Sequence, residues 1–275
     1  MVTASAAETW RDRVTAHHAQ TEAAIAKAGK THGDLWSGIA EGFRDDPRRV
    51  GDEVVDHITE WLTPKSTVLD VGGGAGRYAL PLALRCREVT VVEPSEAMQK
   101  ALRESAEEHG IENVSVNGDN WEDAKVEAAD VVLCAHVVYG VVDIASFVRK
   151  LDASASDHVA ITIGTQAPLS RMSPLWEAAR QEKRIDLPAL PELLPLLWEM
   201  EIYPDVRMID APRPLRAPNL EAGLQIARHF LYIEPGSAED ERLTAAVPEL
   251  MEETPDGGVT VRGFTLRQAI VHWRK

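Results

Sequence analysis

A glycine-dense turn between a short apolar segment and a helical one, in the stretch STVLDVGGGAGRY at 66–78, constrains the fold more than any other feature. Residues 67–71 are apolar and β-branched, as in a buried strand. The turn that follows contains Gly72, Gly73, Gly74 and Gly76. Glycine permits a positive φ and lets a ligand approach the backbone closely. Because the next helix directs unpaired N–H groups at this turn, we predict a nucleotide-like ligand site at the carboxyl end of a parallel strand.

Strands and helical patterns alternate around this turn. Strands are predicted at 67–71, 88–93, 113–117, 129–134, 158–163, 205–210 and near 264–273, and helices at 77–86, 95–109 and 143–152. The last strand is expected to belong to a final hairpin with its turn at 256–258. The alternation predicts an α/β fold with a Rossmann-like, doubly wound, mostly parallel seven-stranded sheet.

Further helical segments are predicted before the first strand and between the later strands of the sequence. At the N-terminus we predict a helix over 8–30 and an amphipathic helix over 47–62, which starts at Asp46–Pro47 and includes Val50 in its apolar face. Helices at 219–231 and 237–252 are too long for a simple connection, so we expect a helical cap insertion at about 211–256. The acidic run at 234–256 predicts a solvated helical face.

Composition excludes several classes of function. The chain has 275 residues and a formal net charge of −15, which disfavours nucleic acid as a partner. We find no signal-peptide pattern and no 18-residue apolar run, so we predict a cytoplasmic protein with no membrane partner. Histidine and cysteine lack metal-ligand spacing, so no metal is predicted, and Cys86 and Cys134 are expected to be buried thiols rather than a disulfide.

The glycine turn by itself suits two kinds of ligand. A dinucleotide site requires the motif G-x-G-x-x-G. Counted from Gly72, the sequence does not match it, because the sixth position is Arg77. Counted from Gly74, it matches only a relaxed form of the motif that ends at Ala79. Asp70 lies just ahead of the turn. A carboxylate there repels a pyrophosphate but suits a ligand with an ammonium or sulfonium charge. The residues therefore favour a ligand with an ammonium or sulfonium charge over a dinucleotide.

The pattern Asp70-x-Gly72-x-Gly74-x-Gly76 resembles the first motif of the class I S-adenosylmethionine-dependent methyltransferases, and the likeness extends over 64–165. It implies S-adenosyl-L-methionine as cofactor and S-adenosyl-L-homocysteine as product. Glu93 would bind the ribose hydroxyls, and Asp119 the adenine amino group, with Trp121 or Asn120 covering the ring. The implied cofactor-binding residues are Asp70, Gly72, Gly73, Gly74, Gly76, Glu93, Pro94, Asp119, Asn120, Trp121, Ala135 and His136.

Methyl transfer from a sulfonium is an in-line displacement in which a general base is optional. His136 and Tyr139 are the candidate catalytic residues, and the alternative role of His136 is a hydrogen-bonded wall of the cofactor pocket. The Asn-Pro-Pro-Tyr motif and the Pro-Cys nucleophile of nucleic-acid methyltransferases are absent, which favours a small-molecule acceptor.

An N-terminal helix often folds over the cofactor in such enzymes. We therefore expect residues 1–62 to cover the site and 63–275 to form the methyltransferase domain, with Trp36 and Phe43 either lining the site or packing in the core. The expected assembly is a monomer or a homodimer. Three alternatives remain open: a non-catalytic S-adenosylmethionine-binding protein, an NAD-dependent oxidoreductase and a protein methyltransferase.

Overall fold

A computed structural model describes residues 4–31, 33–209, 217–254, 257–263 and 267–275. Its strands are β1 (Thr67–Val71), β2 (Glu88–Val92), β3 (Val114–Asn117), β4 (Ala129–Ala135), β5 (Ala155–Gly164), β6 (Asp205–Ile209), β7 (Met251–Glu253), β8 (Val259–Val261) and β9 (Gln268–Arg274). Its α-helices are α1 (Ala6–Lys27), α2 (Glu53–Thr59), α3 (Ala79–Ala83), α4 (Glu96–His109), α5 (Ile144–Ala153), α6 (Ser173–Arg180), α7 (Leu190–Glu199), α8 (Leu220–Leu231) and α9 (Ala238–Leu250).

Seven strands form one sheet in the order β3-β2-β1-β4-β5-β9-β6. β1 pairs in parallel with β2 on one side and with β4 on the other, so that Asp70 lies opposite both Val91 and Leu133. The chain builds outward from β1 in one direction and from β4 in the other, and a crevice opens at such a reversal, beyond the carboxyl ends of the strands. The predicted mostly parallel, Rossmann-like sheet is therefore confirmed.

The end of the chain differs from the prediction. The prediction that the strand near 264–273 belongs to the final hairpin is wrong. The hairpin is formed by β7 and β8, which pair antiparallel as a separate two-stranded sheet. β9 instead enters the large sheet between β5 and β6. The helix predicted over 237–252 ends at Leu250 because β7 begins at Met251. Other predicted positions lie outside the described residues: 210–216, Asp256 of the turn and 264–266 of the last strand.

The second N-terminal helix starts six residues later than predicted. Residues 46–49 form a turn closed by a hydrogen bond from the Arg49 N–H to the Asp46 carbonyl. Gly51 then takes a φ of 75°, and the Asp52 carboxylate caps α2 by accepting from the amides of Val54 and Val55. Val50, placed in the apolar face by the prediction, is 93% exposed. The left-handed glycine and the better cap at Asp52 outweigh the four-residue periodicity.

Inter-residue contacts divide the chain into two compact units, and the large sheet belongs mainly to the one made of Gly33–Ile163, Leu196–Ile209 and Ala269–Lys275. Its core joins the sheet to α2, α3 and α4 through fully buried side chains that include Ile58, Leu80, Val91, Leu102 and Leu133. This packing holds the strand ends in place. Both cysteines are free thiols, as predicted; Cys134 is buried and Cys86 half-buried.

A cluster of aromatic rings lies on the same unit. Trp61 stacks on His158 with a centroid distance of 4.5 Å and an interplanar angle of 6°. The Nε2 atoms of His57 and His272 are 3.3 Å apart, and Arg207 donates to His57 Nδ1 at 3.1 Å. Burial lowers the pKa of His57 and of His272, and the neighbouring cations add to the effect.

The other unit comprises Met1–His32, Gly164–Pro195 and Asp210–Gln268. Its apolar core includes Trp176, Leu175 and Leu243. Arg180 on α6 pairs with Glu239 at 2.9 Å, and Arg228 on α8 holds both carboxylate oxygens of Asp240 at 2.7 and 2.9 Å. Glu239 and Asp240 are buried, so the prediction that this acidic run is solvated is wrong for these two residues.

Within the described residues, no helix is long and apolar enough to cross a membrane. Across the same part of the chain, no group of three or more His, Cys, Asp and Glu side chains is arranged to hold a metal ion.

Candidate functional site

The glycine turn after β1 is wedged between neighbouring loops. Gly72 has a φ of 71° and donates its N–H to the Val92 carbonyl at 2.7 Å. A Cβ on Gly72 would lie 2.3 Å from Cγ2 of Val137, in the loop after β4. Only glycine satisfies both the backbone conformation and this close approach. The turn after β1 and the loop after β4 are therefore in direct contact.

Asp70 lies beneath this turn and is fully buried. A Cβ on Gly73 would stand 2.8 Å from its Oδ2, so the carboxylate lies against the backbone of the turn. Among the residues that the structure describes, neither carboxylate oxygen has a hydrogen-bond partner, although the nearby Ala79 amide acts to lower the pKa of the group. Burial, with a smaller contribution from the Glu93 carboxylate, raises the pKa of Asp70 to about 7. A buried carboxylate without partners is costly unless something supplies a cation or donors.

Glu93, one residue beyond β2, is buried beside the turn. Its Oε2 accepts from the Gly74 N–H at 2.9 Å, and its Oε1 accepts from the Ser95 N–H at 2.8 Å. Burial raises the pKa of Glu93, and these two amides oppose the rise. Each oxygen keeps a lone pair for a ligand. The strand end thus presents an oriented two-oxygen acceptor, followed by the exposed Pro94.

A short segment before α2 contacts the same region. Asp34 accepts at 2.7 Å from the hydroxyl of Ser95, the residue that caps α4. Trp36 and Phe43 meet edge to face at 5.3 Å and pack on a small cluster that includes Ala75 of the glycine turn. Both rings are therefore packing residues beside the turn.

In the loop after β3, the polar candidate residues are exposed and the aromatic one is buried. Asp119 and Asn120 are exposed, whereas Trp121 is 4% exposed. The Trp121 ring lies 6.2 Å from that of Phe147, and its Nε1 donates to the Phe147 carbonyl at 3.4 Å. Little of the indole face remains for a ligand, and Asn120 is the better placed of the two candidates for covering an adenine.

The end of β4 places His136 in a left-handed conformation with a φ of 60°, uncommon for a residue other than glycine. Its N–H donates to the Thr162 carbonyl at 2.8 Å, and Nδ1 lies 3.0 Å from the Tyr139 hydroxyl. Ala135 and His136 are half-buried and Tyr139 is buried. Cys134, the residue before Ala135, is completely buried, and burial raises the pKa of its thiol.

The predicted residues thus gather at the carboxyl ends of β1, β2, β3 and β4, as the parallel sheet requires. Trp121 stands apart because it packs inward. Sequence reasoning missed Val137, Ser95 and Asp34, which shape the site through contacts. Only Ser95 carried a readable signal, as a serine at the start of a helical pattern, directly after Glu93-Pro94.

Part of the chain is similar to known proteins. Residues 68–154 match a family described as methyltransferase domain. A curated but uncharacterized protein of Haemophilus influenzae is 31% identical over 147 residues, which are 52% of this chain and 53% of that protein. The chain therefore spans about half the length of this curated relative. A 23S rRNA (uracil(1939)-C(5))-methyltransferase of Alkalilimnicola ehrlichii is 38% identical over 100 residues, covering 34% of this chain and 22% of that enzyme.

Among solved structures, the chain is similar to an S-adenosylmethionine-dependent methyltransferase from Geobacter sulfurreducens in complex with S-adenosyl-L-homocysteine. The TM-score is 0.51 with 16% identity, over 89% of this chain and 99% of that one. The structural likeness confirms the fold, and the family match supports a methyltransferase domain at 68–154.

Proposed function

We propose that this chain, whose residues 68–154 match a methyltransferase domain, is a class I S-adenosylmethionine-dependent methyltransferase that transfers the methyl group to a small-molecule acceptor. The observation that carries the cofactor part of this proposal is the buried carboxylate of Asp70 directly under the glycine turn, which has no hydrogen-bond partner among the described residues. Such a group needs a positive partner or hydrogen-bond donors. The cationic end of S-adenosylmethionine supplies that charge, whereas a pyrophosphate would add repulsion.

The neighbouring residues fit the rest of the cofactor. Glu93 keeps lone pairs for two ribose hydroxyls, and Asp119 is exposed at the next strand end, where it would accept from an adenine amino group. The turn from Gly72 to Gly76 would carry the methionine part, with Ala135 and His136 at its other side. When bound, the cofactor supplies an electrophilic methyl carbon.

His136 is the best-placed base for an acceptor that must lose a proton. The contact between its Nδ1 and the Tyr139 hydroxyl, 3.0 Å long, orients the imidazole. Nε2 is the atom that would take the acceptor proton. Tyr139 is then a positioning group for His136. An acceptor that is already ionised would need neither.

Two observations favour a small molecule over RNA, although part of the chain is similar to an rRNA methyltransferase. The net charge of −15 opposes an RNA backbone. Methylation at a pyrimidine ring carbon also needs a nucleophile to activate the ring, yet the Cys134 thiol is fully buried. Burial raises the pKa of Cys86 to about 11, which leaves almost no thiolate near neutral pH.

The test is an S-adenosylhomocysteine-release screen against small phenols, amines, thiols and carboxylates, with 23S rRNA fragments as a separate arm. Turnover of a small acceptor supports the proposal, and turnover of RNA alone refutes the acceptor class. Binding of the cofactor without turnover of any acceptor favours the non-catalytic alternative, and tighter binding of NAD favours the oxidoreductase.

A matched pair of variants tests the cofactor site. Glu93→Ala removes the oriented acceptor and should weaken S-adenosylmethionine binding by about 1–3 kcal/mol, the cost of leaving ligand polar groups unpaired. Glu96→Ala, three residues further on and exposed, is the control and should bind like wild type. Equal affinities in calorimetry for the wild type and Glu93→Ala would refute the assignment.

A further inference from the structure

One lysine binds residues 121–124 of the loop that follows β3. The Nζ of Lys150, on α5, donates to three carbonyls of this loop: those of Trp121, of Glu122 at 3.1 Å and of Ala124 at 2.8 Å. An ammonium has three hydrogens to donate, so the loop uses all of them. The same atom lies 4.5 Å from the centroid of the Trp121 ring, within cation–π range.

The loop is closed on itself as well as on α5. The Asn120 carbonyl accepts from the amides of Asp123 at 3.0 Å and Ala124 at 2.8 Å, so residues 120–124 form one compact turn. At its start, the Asp119 N–H donates to the Asn117 side chain at 2.8 Å. Trp121 packs inward against Phe147, one helical turn from Lys150. Three carbonyls converge on one cation, and this fixes the turn as a unit on α5.

The turn that Lys150 holds lies next to two residues of the candidate cofactor site. Asp119 and Asn120 stand exposed immediately before the clamped residues, at the strand end next to Glu93. Their side chains are exposed, so the backbone of the turn determines the direction in which each one leaves the chain. The exposed acids Glu122 and Asp123 would otherwise leave the turn free to spread by mutual repulsion.

We propose that Lys150 is a positioning residue for adenine recognition: it holds the turn so that Asp119 meets the exocyclic amino group of the cofactor. This inference rests on the proposed function. Lys150 acts through the loop and does not touch the cofactor. A lysine suits the task because its compact charge has freely rotating donors that converge on carbonyls of one turn.

The experiment compares S-adenosylhomocysteine with S-inosylhomocysteine, in which a keto group replaces the amino group, by calorimetry. In the wild type the Asp119 carboxylate favours the amino group and repels the keto oxygen, so adenine should be preferred at least tenfold. In Lys150→Met that preference should fall to threefold or less, mainly through weaker binding of S-adenosylhomocysteine. A general loss of protein stability would weaken the binding of both ligands alike and leave the ratio of their affinities unchanged.

Three further variants sharpen the test. Lys150→Arg keeps a cation with several donors and should restore at least part of the preference. Lys100→Met, an exposed lysine on α4, is the matched control and should keep the wild-type ratio. Asp119→Asn should abolish the preference in the wild type but change it by less than twofold in the Lys150→Met background, because the two residues act through one contact.

The outcomes separate the two proposals. A folded Lys150→Met protein with the wild-type ratio overturns the inference about Lys150 while the proposed function stands. Should Lys150→Met fail to fold, a Lys150→Arg protein that keeps the ratio, together with loss of the ratio in Asp119→Asn, supports the inference. An unchanged ratio in Asp119→Asn overturns it. A wild-type protein that binds neither ligand refutes the proposed function and this inference with it.

Discussion

Replacing the buried Asp70 with asparagine should stabilise the ligand-free protein as pH rises. The pKa of this carboxyl is 3.8 in its ordinary state and about 7 in the folded chain, chiefly because of burial and then because of Glu93. Between these two values the unfolded chain has already lost the proton that the native chain keeps. Native stability therefore falls as pH rises through this window, by 1.36 kcal/mol per pH unit.

The expected size follows directly. The stability advantage of Asp70→Asn over wild type should grow by about 2.5 kcal/mol from pH 5 to pH 8 and flatten above about pH 7. Urea denaturation at four pH values, followed by tryptophan fluorescence, measures it. Asp119→Asn, which replaces an exposed carboxylate, is the control and should differ from wild type by a constant amount within about 0.5 kcal/mol.

The same substitution should weaken the binding of S-adenosylmethionine, because a neutral amide cannot balance the charge of a cationic ligand. Calorimetry should show S-adenosylmethionine affinity falling as protein stability rises. A pH-independent stability difference for Asp70→Asn would refute the claim that this carboxyl is strained by burial. Wild-type cofactor affinity in the variant would refute its role as the partner of the cationic end.

Three further predictions concern other parts of the fold. Gly72→Ala should lower stability by about 1–3 kcal/mol through its positive φ and the Val137 contact, and adding Val137→Ala should recover part of the loss in melting temperature. Because the pKa of His272 is lowered in the folded chain, native stability should fall as pH drops below 6.5; His272→Asn should flatten this decline in denaturation curves, and a slope equal to wild type would contradict it. Arg180→Met should cost about 3 kcal/mol in chemical denaturation by leaving the buried Glu239 without its main partner, and a loss below about 1 kcal/mol would show that Lys27 suffices.

The parts of the fold that the sequence predicted well are those with local signals. α4 is capped by Ser95 at its start and by Gly110, in the left-handed conformation, after its last residue, close to the predicted bounds. The strand before the glycine turn is found at Thr67–Val71, as predicted. In these places propensity, capping and periodicity agree within a few residues of chain.

The features that the sequence left hidden depend on partners far along the chain. Asp240 is buried because Arg228 reaches it from α8, and nothing near Asp240 announces that partner. Val137 matters through its contact with Gly72, which is 65 positions earlier in the numbering. Lys150 looks like an ordinary surface lysine of an amphipathic helix until the loop after β3 is placed beside it. Such contacts are set by tertiary packing, so no local pattern encodes them.

The unit that lacks the large sheet has a practical consequence for anyone who cuts or fuses this chain. It is assembled from three separate stretches, and the backbone passes between the two units five times. α1, which opens the first stretch, is tied by Lys27 to Glu239 and by Arg13 to Glu192 within that unit. A truncated protein that starts after α1 would therefore lose a helix that is bonded to the rest of this unit. Neither unit can be expressed as one contiguous gene fragment, so loop grafting or rejoined segments are the workable routes to isolating either.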